Sequence, residues 1–546
     1  MPDSYPRVPL IEPLTNRGLT TAGDRKIVNG YAEQDTAGTW RVVKRPGYTQ
    51  TFTGPAGKGQ GLFSYNGAVY SISNDEFYIP ATNTSLPLSP TVAGLVYQSN
   101  QLSPFSINPY FIFKSNSDYY IGVGTPIVSI AKFTSQANYP ATTVPGIAFL
   151  DGYIFVMDPN GNIWNSALGS ETGFTALGVI ALNNEPNGGA AIAKLNTYIV
   201  GFGVWTMEFF YDAGTPPPAS PLAPNTLLTT QIGCAAGNSV VELQASIVWV
   251  GQTKKEGAGV YMVDASYTPK RISTPFVDRL IQNDPLTSVS TYTVDIFGTS
   301  QYVLNLNTTG ITLVYDFHTS IWTQWTSLSL GATFTITSLT CDAYGTVTAA
   351  GSGFTMNDGD PVTISGAATS GYNGLVNVSN PSTTTFTYQV GTALASNTGT
   401  ASMQVYTEGI FSPTAAVQVN DVDYLQDPTS GVIYTQSDTA TLDGSHQVPI
   451  DLQVVTERWD GGNSMWKFCR RISLMADMES SNALISYTDT DYATYSLTRI
   501  MSLNEGQRAT VTPCGRFRRR AFKIRHTAAT LFRAEALELE IYPGDF

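Results

Sequence analysis

The sequence predicts an all-β protein: a β-propeller of six or seven blades, an inserted small β-domain and a C-terminal β-sandwich-like module. Three observations support this fold class. Residues that favour strands and turns are abundant, with 29 Tyr, 49 Gly and 31 Pro among 546 residues. Hairpin-like units recur along the chain, and their centres lie roughly 40–50 residues apart, which is the spacing of four-stranded propeller blades.

Charged residues make up only 13% of the chain, well below the ~25% of ordinary soluble domains. Low charge with many Tyr, Thr and Ser is typical of large permanent subunit contacts, because charges are depleted from interface cores. A plain all-β monomer with a Thr-rich surface remains the alternative. The net charge of −13 argues against nucleic-acid binding over the whole surface.

The first 45 residues carry several Pro, Gly and charges and little periodicity. We expect an extended N-terminal arm over residues 1–45, with one short turn. No apolar signal-peptide core and no apolar stretch of ~18 residues occurs in the sequence. The expectation is therefore a protein that folds in a cytosol and has no membrane anchor.

The clearest repeat unit is Gly61–Pro80, in which Asn66-Gly67 and Asn74-Asp75 separate short apolar segments. Asn-Gly between alternating apolar residues is the strongest short hairpin signal. Comparable units follow at 145–164, with turns at Asp151-Gly152 and Asn160-Gly161, and at 190–211, 240–272 and 292–325; weaker ones lie at 104–130 and 415–434.

A single blade cannot bury both of its faces, whereas radial stacking buries each face against a neighbour. We therefore predict a propeller formed by residues 46–330 and 409–450. An array of β-sandwiches would use the same turns, but with shorter and less regular spacing.

Two segments interrupt the repeats. Residues 212–230 contain Pro216–Pro218, which favours an extended polyproline form and a long surface loop. Residues 331–408 combine short strand patterns with Gly and Asn turns, and 331–405 contain no Lys, Arg or His. We predict that this second segment is a small β-domain inserted in an exposed loop.

Residues 451–546 contain six alternating strand patterns and form the predicted C-terminal β-module. Within it, Gly515–Arg525 carries the densest positive charge of the chain. Read as one strand, the segment divides its cations between two faces, neither of them purely apolar, which indicates an edge or a seam between subunits. The candidate interface residues are Arg516, Arg518, Arg519, Arg520, Lys523 and Arg525. We expect them to pair with carboxylates such as Glu535, Glu538 and Glu540 or with those of an adjacent chain; a solvated strand edge is the alternative.

Motifs for catalysis are scarce. The three histidines, His318, His446 and His526, lie far apart, and no metalloprotease, nucleophile-elbow, P-loop or dinucleotide motif is present. A glycosidase would need two carboxylates paired over a propeller channel, and no such pair is identifiable. We therefore expect no enzyme, no catalytic or metal-binding residues and no cofactor.

Several acidic pairs could be considered for other roles, but turns and solvated positions explain them better. They are Asp75-Glu76, Asp358 with Asp360, and Asp489 with Asp491. The four cysteines, Cys234, Cys341, Cys469 and Cys514, form no CxxC motif. Cys469 and Cys514 could meet across neighbouring strands, although buried free thiols are the preferred interpretation.

Residues 190–214, AAIAKLNTYIVGFGVWTMEFFYDAG, then QIGCAAGNSVV (231–241) and IVWVGQ (247–252) resemble the tail hub, or packaged-DNA stabilisation protein, of short-tailed bacteriophages. The segments VYMVD (260–264), PKRIST (269–274) and, within 24–48, DRKIVNGYAE and KRPGY extend the resemblance. It covers most of the chain outside 331–405, whose GYNG and TTFTY segments resemble small β-modules of phage tail proteins.

The resemblance implies a structural virion protein made in the bacterial host cytoplasm and located in the tail. Such hubs are homo-hexameric nozzles that continue the DNA channel below the portal and adaptor (head-to-tail) protein. They retain the packaged genome, enclose DNA without sequence-specific binding, and carry a tail fibre or tailspike and a tail needle or plug. The alternative is a propeller-based glycan-binding or glycan-cleaving receptor adhesin of a phage tail.

Overall fold

The computed structural model describes residues 5–11, 13–15, 25–36, 38–88, 97–99, 110–124, 126–132, 138–170, 173–185, 188–243, 245–397, 399–504 and 508–543. The chain divides into two compact units. Unit 1 contains residues 1–49, 321–411 and 437–546, and unit 2 contains residues 50–320 and 412–436. The predicted propeller segments, 46–330 and 409–450, overlap unit 2.

The N-terminal strands are β1 (Arg7–Pro9), β2 (Lys26–Val28), β3 (Gly30–Gln34), β4 (Trp40–Lys44) and β5 (Gly47–Thr53). They do not form the predicted extended arm. β1 and β4 pair with the last strand of the chain, and β2 pairs with a strand that begins at Leu452. The apolar side chains of Val8, Ile27 and Val42 are buried in the same core as the C-terminal module, so this burial holds the segment in place. Residues 1–4, 12, 16–24 and 37 of the predicted arm lie outside the described residues.

Unit 2 contains five separate sheets and a sixth group of three strands, and in all of them the strands follow one another in the chain. The first three contain β6 (Gly59–Tyr65), β7 (Ala68–Ser73), β8 (Glu76–Ile79), β9 (Thr84–Pro87); β10 (Tyr97–Ser99), β11 (Tyr110–Lys114), β12 (Tyr119–Val123), β13 (Ser129–Lys132); β14 (Ala148–Leu150), β15 (Tyr153–Met157), β16 (Asn162–Asn165) and β17 (Val179–Ala181). Part of the weak repeat predicted at 104–130, residues 104–109 and 125, lies outside the described residues.

The next two sheets and the three-stranded group contain β18 (Gly189–Leu195), β19 (Tyr198–Gly203), β20 (Met207–Asp212), β21 (Leu222–Pro224); β22 (Gly233–Cys234), β23 (Val241–Leu243), β24 (Ser246–Gln252), β25 (Gly259–Val263), β26 (Lys270–Arg271); β27 (Val289–Ile296), β28 (Thr299–Leu306) and β29 (Ile311–Asp316). The single α-helix in the described residues, α1 (Pro275–Gln282), follows Thr274, whose Oγ1 accepts a hydrogen bond from the Val277 N–H at 3.4 Å.

The predicted turns explain why these strands form antiparallel meanders. Both residues of Asn66-Gly67, Asn74-Asp75 and Asp151-Gly152 have positive φ, as tight hairpin turns require. Apolar side chains of neighbouring sheets share cores: Phe63 and Phe77 pack with Phe111 and Phe113. This mutual burial is the packing expected of propeller blades.

A further sheet contains β36 (Ala415–Val419), β37 (Val422–Gln426) and β38 (Val432–Ser437), and β38 is followed in it by β5. Thr51 of β5 hydrogen-bonds Thr435 of β38 through their Oγ1 atoms at 2.5 Å. The N-terminal and C-terminal ends of the repeat region therefore complete one blade. Together with the five consecutive sheets and the group β27–β29, this confirms the predicted propeller of six or seven blades.

The predicted loop at 212–230 is only partly a loop. Residues 213–219 are irregular, but β21 pairs with β20, and Thr230 bridges to Met207. Leu222 is buried in the blade, and this apolar contact, which the Pro-rich composition conceals, makes the segment the fourth strand of its sheet.

The inserted segment consists of β30 (Ile321–Cys341), β31 (Thr346–Gly351), β32 (Pro361–Ser365), β33 (Gly374–Asn377), β34 (Thr385–Gln389) and β35 (Ala401–Ile410). β30 and β35 pair from Thr326↔Ile410 to Ile336↔Ala401 and carry the rest of the insert. The insert has a core of its own, in which Phe354, Tyr372 and Phe386 are buried.

Two short strands, β39 (Leu442–Asp443) and β40 (Val448–Pro449), lead to the C-terminal module. The module contains β41 (Leu452–Val455), β42 (Lys467–Ala476), β43 (Asn482–Thr488), β44 (Arg499–Ser502), β45 (Thr510–Val511), β46 (Arg516–Phe517), β47 (Ala521–His526) and β48 (Arg533–Pro543). One sheet has the order β3-β4-β48-β42-β45, and β2-β41-β47-β43-β44 are neighbours in another. Both sheets contribute to one apolar core, which makes the module a sandwich.

Candidate protein interface

The arginine-rich segment at 515–525 is not the single strand predicted from its alternation. Arg516 and Phe517 form β46 beside β42, whereas residues from Ala521 onward form β47 in the other sheet. Between the two strands, Arg520 makes an isolated bridge to Trp459. The chain thus changes sheets within four residues, and its cations enter two different environments.

Arg520 is a buried structural residue, with only 2% of its side chain exposed. Its Nε and Nη2 donate to the two carboxylate oxygens of Asp489, each at 2.8 Å, and its Nη1 donates to the Cys514 carbonyl at 2.6 Å. The guanidinium also lies over the Tyr487 and Phe517 rings. A bidentate ion pair between aromatic rings satisfies a cation in an otherwise apolar core.

Arg525 connects two segments of unit 1. Its Nε and Nη2 donate to Asp451 at 2.7 and 2.8 Å, and its Nη1 donates to Asp360 of the insert at 3.1 Å. Lys523 is half-buried nearby, and burial lowers the pKa of its amine. Arg519 is exposed and pairs with Asp491.

Arg516 and Arg518 remain at the surface. Their guanidinium carbons lie 4.9 and 5.0 Å from the centre of the Trp466 ring. No carboxylate of the described residues forms an ion pair with either of them. Cation–π contact holds the two side chains in place and leaves their hydrogen-bond donors available.

Strand alternation places aromatic residues beside these arginines. Along β42, Lys467 and Cys469 are buried and Phe468 points outward, with 48% of it exposed. Phe468 lies opposite Arg516 on one side and Tyr542 on the other, and Tyr542 is 40% exposed. We call Trp466, Phe468, Tyr542, Arg516 and Arg518 the arginine–aromatic face.

The carboxylates expected to pair with this segment are engaged elsewhere. Glu535 pairs with Arg7, Glu538 with Arg508, and Glu540 with Arg470 and Arg471. Within the described chain, the acids of the terminal strand therefore leave Arg516 and Arg518 unneutralised. Trp, Tyr and Arg are the residue types most enriched at the energetic centres of protein interfaces.

The acidic pairs noted in the sequence have structural roles. Asp489 and Asp491 pair with arginines, Asp360 pairs with Arg525, and Asp358 accepts the Thr498 N–H at 2.7 Å. Asp75 has a positive φ in a hairpin turn. No group of three or more potential metal-ligating side chains occurs in the part of the chain that the structure describes.

Unit 2 contains a cavity with a volume of about 370 Å³. Residues of several sheets line it, including Gln60, Ile192, Glu242, Thr291 and Ala415. Glu242 is the one carboxylate among the described lining residues, and it is exposed to the cavity. Its Oε1 accepts the Lys194 backbone N–H at 2.8 Å, and desolvation by the surrounding strands raises the pKa of the carboxyl group to about 7.

A second cavity in unit 2, of about 620 Å³, contains Asp264, Asp295 and Asp423. Asp423 accepts the Asp295 N–H at 3.2 Å, and Ser300 donates to Asp295 at 2.5 Å. Hydrogen bonds from Ser266 lower the pKa of Asp264, which keeps this carboxyl ionised rather than a proton donor. The cavity is an acidic surface suited to hydroxyl or cationic groups.

Sequence reasoning missed the most buried ion pair of unit 1. Arg45 donates to Asp443 through Nη1 at 2.9 Å and Nη2 at 2.5 Å, and both side chains are 1% exposed. Asn29 Oδ1 and the carbonyls of Pro46 and Thr326 accept further hydrogen bonds from this guanidinium. No local pattern could identify partners that lie almost four hundred positions apart.

A family model described as bacteriophage P22 Gp10, beta-propeller, matches residues 31–344. No curated protein matches the sequence. Solved structures that match include the computationally designed protein Ika8, with 10% identity and a TM-score of 0.34 over 72% of this chain and 99% of that chain. BamB from Moraxella catarrhalis matches with 8% identity and a TM-score of 0.34 over 72% of this chain and 100% of that chain. No helix in the described residues is long and apolar enough to cross a membrane.

Proposed function

The chain belongs to the family of phage stabilisation proteins represented by bacteriophage P22 Gp10, a family of structural tail proteins of the virion, and we propose that it is a subunit of the tail hub, or nozzle. In this role it forms a homo-hexameric ring below the portal and adaptor protein. The ring continues the DNA channel, retains the packaged genome and carries a tail fibre or tailspike and a needle or plug. The family match over 31–344 is the observation that carries the proposal.

The charge distribution supports this role. The net charge is −13, and carboxylates around a DNA channel repel phosphates, which lets DNA slide rather than bind. The low content of charged residues, 13%, suits a chain that buries much of its surface against other subunits. We propose a binding and positioning role, without catalysis or a cofactor.

Imaging of purified tails and mass photometry of the isolated protein test the ring. We expect sixfold particles with a central channel in the tail. A single copy of the chain in the finished particle would overturn the proposal.

The arginine–aromatic face is the part of the candidate interface that we assign to a neighbouring protein, because Arg516 and Arg518 have free donors and lie among exposed aromatic rings. Arg520 and Arg525 support that surface from inside the module. The partner would supply carboxylates, for which the acidic surface of a second copy is suited. Partly buried bidentate contacts would dominate, since exposed ion pairs contribute only ~0–1 kcal/mol each.

The experiment uses a double variant that carries both Arg516→Ala and Arg518→Ala. The control is the single variant Arg519→Ala, which removes an exposed arginine already paired with Asp491. Tail assembly should weaken in the double variant and persist in the control. Affinity of the isolated protein for double-stranded DNA should be negligible in all three proteins. Tight, salt-sensitive DNA binding that the double variant loses would assign these arginines to phosphate instead.

The acidic cavity supports one second candidate, a glycan-binding or glycan-cleaving adhesin. Carboxylates can accept hydrogen bonds from sugar hydroxyls, and a pair of them is needed for glycoside hydrolysis. Glycan arrays probed with the purified protein and with Asp295→Asn separate the candidates. Binding or cleavage that is lost in Asp295→Asn would favour the adhesin, whereas no signal in either protein favours the hub.

A further inference from the structure

Two buried thiols meet in the core of the C-terminal module, and neither has a role in the proposed function. Cys469 lies in β42, and Cys514 precedes β46. The Cys514 N–H donates to the Cys469 carbonyl at 3.1 Å, and the Cys469 N–H donates to the Gly515 carbonyl at 2.9 Å. The two residues are therefore backbone neighbours, as residues that form a disulfide must be.

Both side chains lie in the same apolar core. The Cys469 thiol donates to the Arg471 carbonyl at 3.6 Å, and the Cys514 thiol donates to the Val511 carbonyl at 3.2 Å. Cys514 is fully buried and Cys469 is 3% exposed, so competing nucleophiles and bulky reagents are kept away. The Arg499 Nη1 lies 3.7 Å from the Cys514 Sγ and places a positive charge beside this sulfur.

These surroundings give the two sulfurs different roles. The neighbouring Cys469 side chain, followed by the nearby Arg499 charge, lowers the pKa of the Cys514 thiol to about 7. The neighbouring Cys514 side chain, together with burial, raises the pKa of the Cys469 thiol far above its usual range. Cys514 is therefore the thiolate and nucleophile, and Cys469 is the protonated partner.

We propose that Cys469 and Cys514 form a disulfide when the protein encounters a small oxidant of the peroxide class. The Cys514 thiolate attacks one oxygen of hydrogen peroxide, the O–O bond breaks, and hydroxide leaves, which produces a sulfenic acid on Cys514. The Cys469 sulfur then attacks the Cys514 sulfur, the S–O bond breaks, and the hydroxyl group leaves as water with the Cys469 proton. The hydroxide takes up the proton that Cys514 released when it ionised. The two thiols lose two electrons in total, and the peroxide is reduced to two molecules of water.

The remaining cysteines provide internal contrasts. Burial raises the pKa of the Cys234 thiol to about 12, which makes this sulfur unreactive. Cys341 is half-exposed in the insert, and its sulfur lies near the backbone carbonyls of Asp342 and Thr392. We therefore expect Cys469 and Cys514 to pair selectively, with Cys234 and Cys341 left as free thiols.

The disulfide would act on the candidate interface from below. It would join β42 to the segment that leads into β46. Phe468 lies in β42 and Arg516 lies in β46. A cross-link that closes a loop of this length raises stability chiefly by restricting the unfolded chain. The arginine–aromatic face would then keep its shape after the protein leaves a reducing cytosol.

The test uses the full-length protein, purified with a reductant that is then removed. After brief treatment with hydrogen peroxide, free thiols are alkylated under denaturing conditions and the peptides are analysed by mass spectrometry. We expect a Cys469–Cys514 linked peptide, an intact mass lower by two hydrogens, alkylated Cys234 and Cys341, and a higher melting temperature that dithiothreitol reverses.

Three variants assign the roles. Cys469→Ser should accumulate a sulfenic acid on Cys514 that dimedone traps, Cys514→Ser should leave Cys469 unoxidised, and Cys234→Ser should behave as the wild type. Peptide mapping of the wild-type protein decides the matter even if a serine variant fails to fold. Alkylation of both Cys469 and Cys514 after peroxide treatment, or oxidation of Cys514 to a sulfinic acid without a linked peptide, would overturn the proposal.

Discussion

Arg520 and Arg525 differ from Arg516 and Arg518 in everything but residue type, although the four lie within ten positions. The first two are bound to carboxylates inside unit 1, at Asp489, Asp451 and Asp360. The other two lie on the Trp466 ring at the surface. The difference follows from the change of sheet between β46 and β47, which turns one half of the segment into the core and the other half outward.

A segment dense in arginine can therefore both stabilise a core and present donors for recognition. A buried guanidinium requires acceptors for its donors, because desolvation of an unpaired charge costs several kcal/mol. An exposed guanidinium on an aromatic ring gains only about 0.5–1 kcal/mol and keeps its donors for another molecule. Stability therefore depends on Arg520, and recognition depends on Arg516 and Arg518.

The largest effect on stability is expected at Asp489, and a much smaller one at Asp491 two positions later. Asp489→Ala leaves the buried Arg520 without its carboxylate, and we expect a loss of about 3 kcal/mol in the free energy of unfolding, because loss of one partner of a buried ion pair typically costs 3–5 kcal/mol and Asp489 itself is partly exposed. Asp491→Ala removes the partner of the exposed Arg519 and should cost ~0–1 kcal/mol. Urea unfolding measures both, and equal losses would contradict the assignment of Arg520 to the core.

The propeller could be predicted from sequence because its signals are local. Asn66-Gly67 and Asp151-Gly152 specify hairpins by their own backbone preferences, and their repetition specifies the fold. The environment of Arg520 could not be predicted, since it depends on Asp489 in another strand and on a bridge to Trp459. The same limit applies to the N-terminal arm, whose strands find their partners at the far end of the chain.

The second effect concerns Arg525, whose carboxylates come from both the module and the insert. Deletion of 331–405 removes Asp360 but keeps Asp451, and it leaves Leu330 and Tyr406, which lie opposite each other in β30 and β35. A short Gly-Ser bridge can therefore close the gap as a hairpin, and the entropy cost of loop closure grows only slowly with length. We expect unit 2 to remain folded and unit 1 to lose on the order of 1–2 kcal/mol from the lost polar contacts.

Circular dichroism and thermal melting measure this effect. Retained strand signal and cooperative melting are the expected result. Cooperative melting that disappears in the deletion variant would mean that the insert core is needed for the rest of the protein.

A smaller effect is expected on the surface side of the comparison. Arg516→Ala and Arg518→Ala together should change the free energy of unfolding by less than about 1 kcal/mol, since exposed cation–π contacts are weak. Urea unfolding of the isolated protein provides the measurement. A loss as large as that of Asp489→Ala would show that these two arginines stabilise the fold. It would remove the reason for assigning them to an interface.

The smallest effect is expected at Glu242, a carboxylate that lines the cavity of unit 2. It accepts a backbone N–H but has no bidentate partner. Glu242 is exposed to the cavity, and desolvation by the strands that line the cavity raises the pKa of this carboxyl group from 4.5 to about 7. A carboxyl group with a raised pKa holds its proton more tightly in the folded state. Its contribution to stability is therefore fully present below pH 4.5 and is lost as the pH rises through about 7.

Glu242→Gln removes this titration and keeps an oxygen that can accept the Lys194 N–H. The melting temperature of Glu242→Gln relative to the wild type should therefore increase between pH 5 and pH 8, whereas Glu242→Asp, which can still ionise, should follow the fall of the wild type. The shift should be modest, because water in the cavity reaches the carboxylate and screens its charge. A difference between Glu242→Gln and wild type that does not change with pH would contradict the raised pKa. It would show that the cavity solvates this carboxylate as well as bulk water does, so that this charge needs no partner of the kind that Asp489 provides for Arg520.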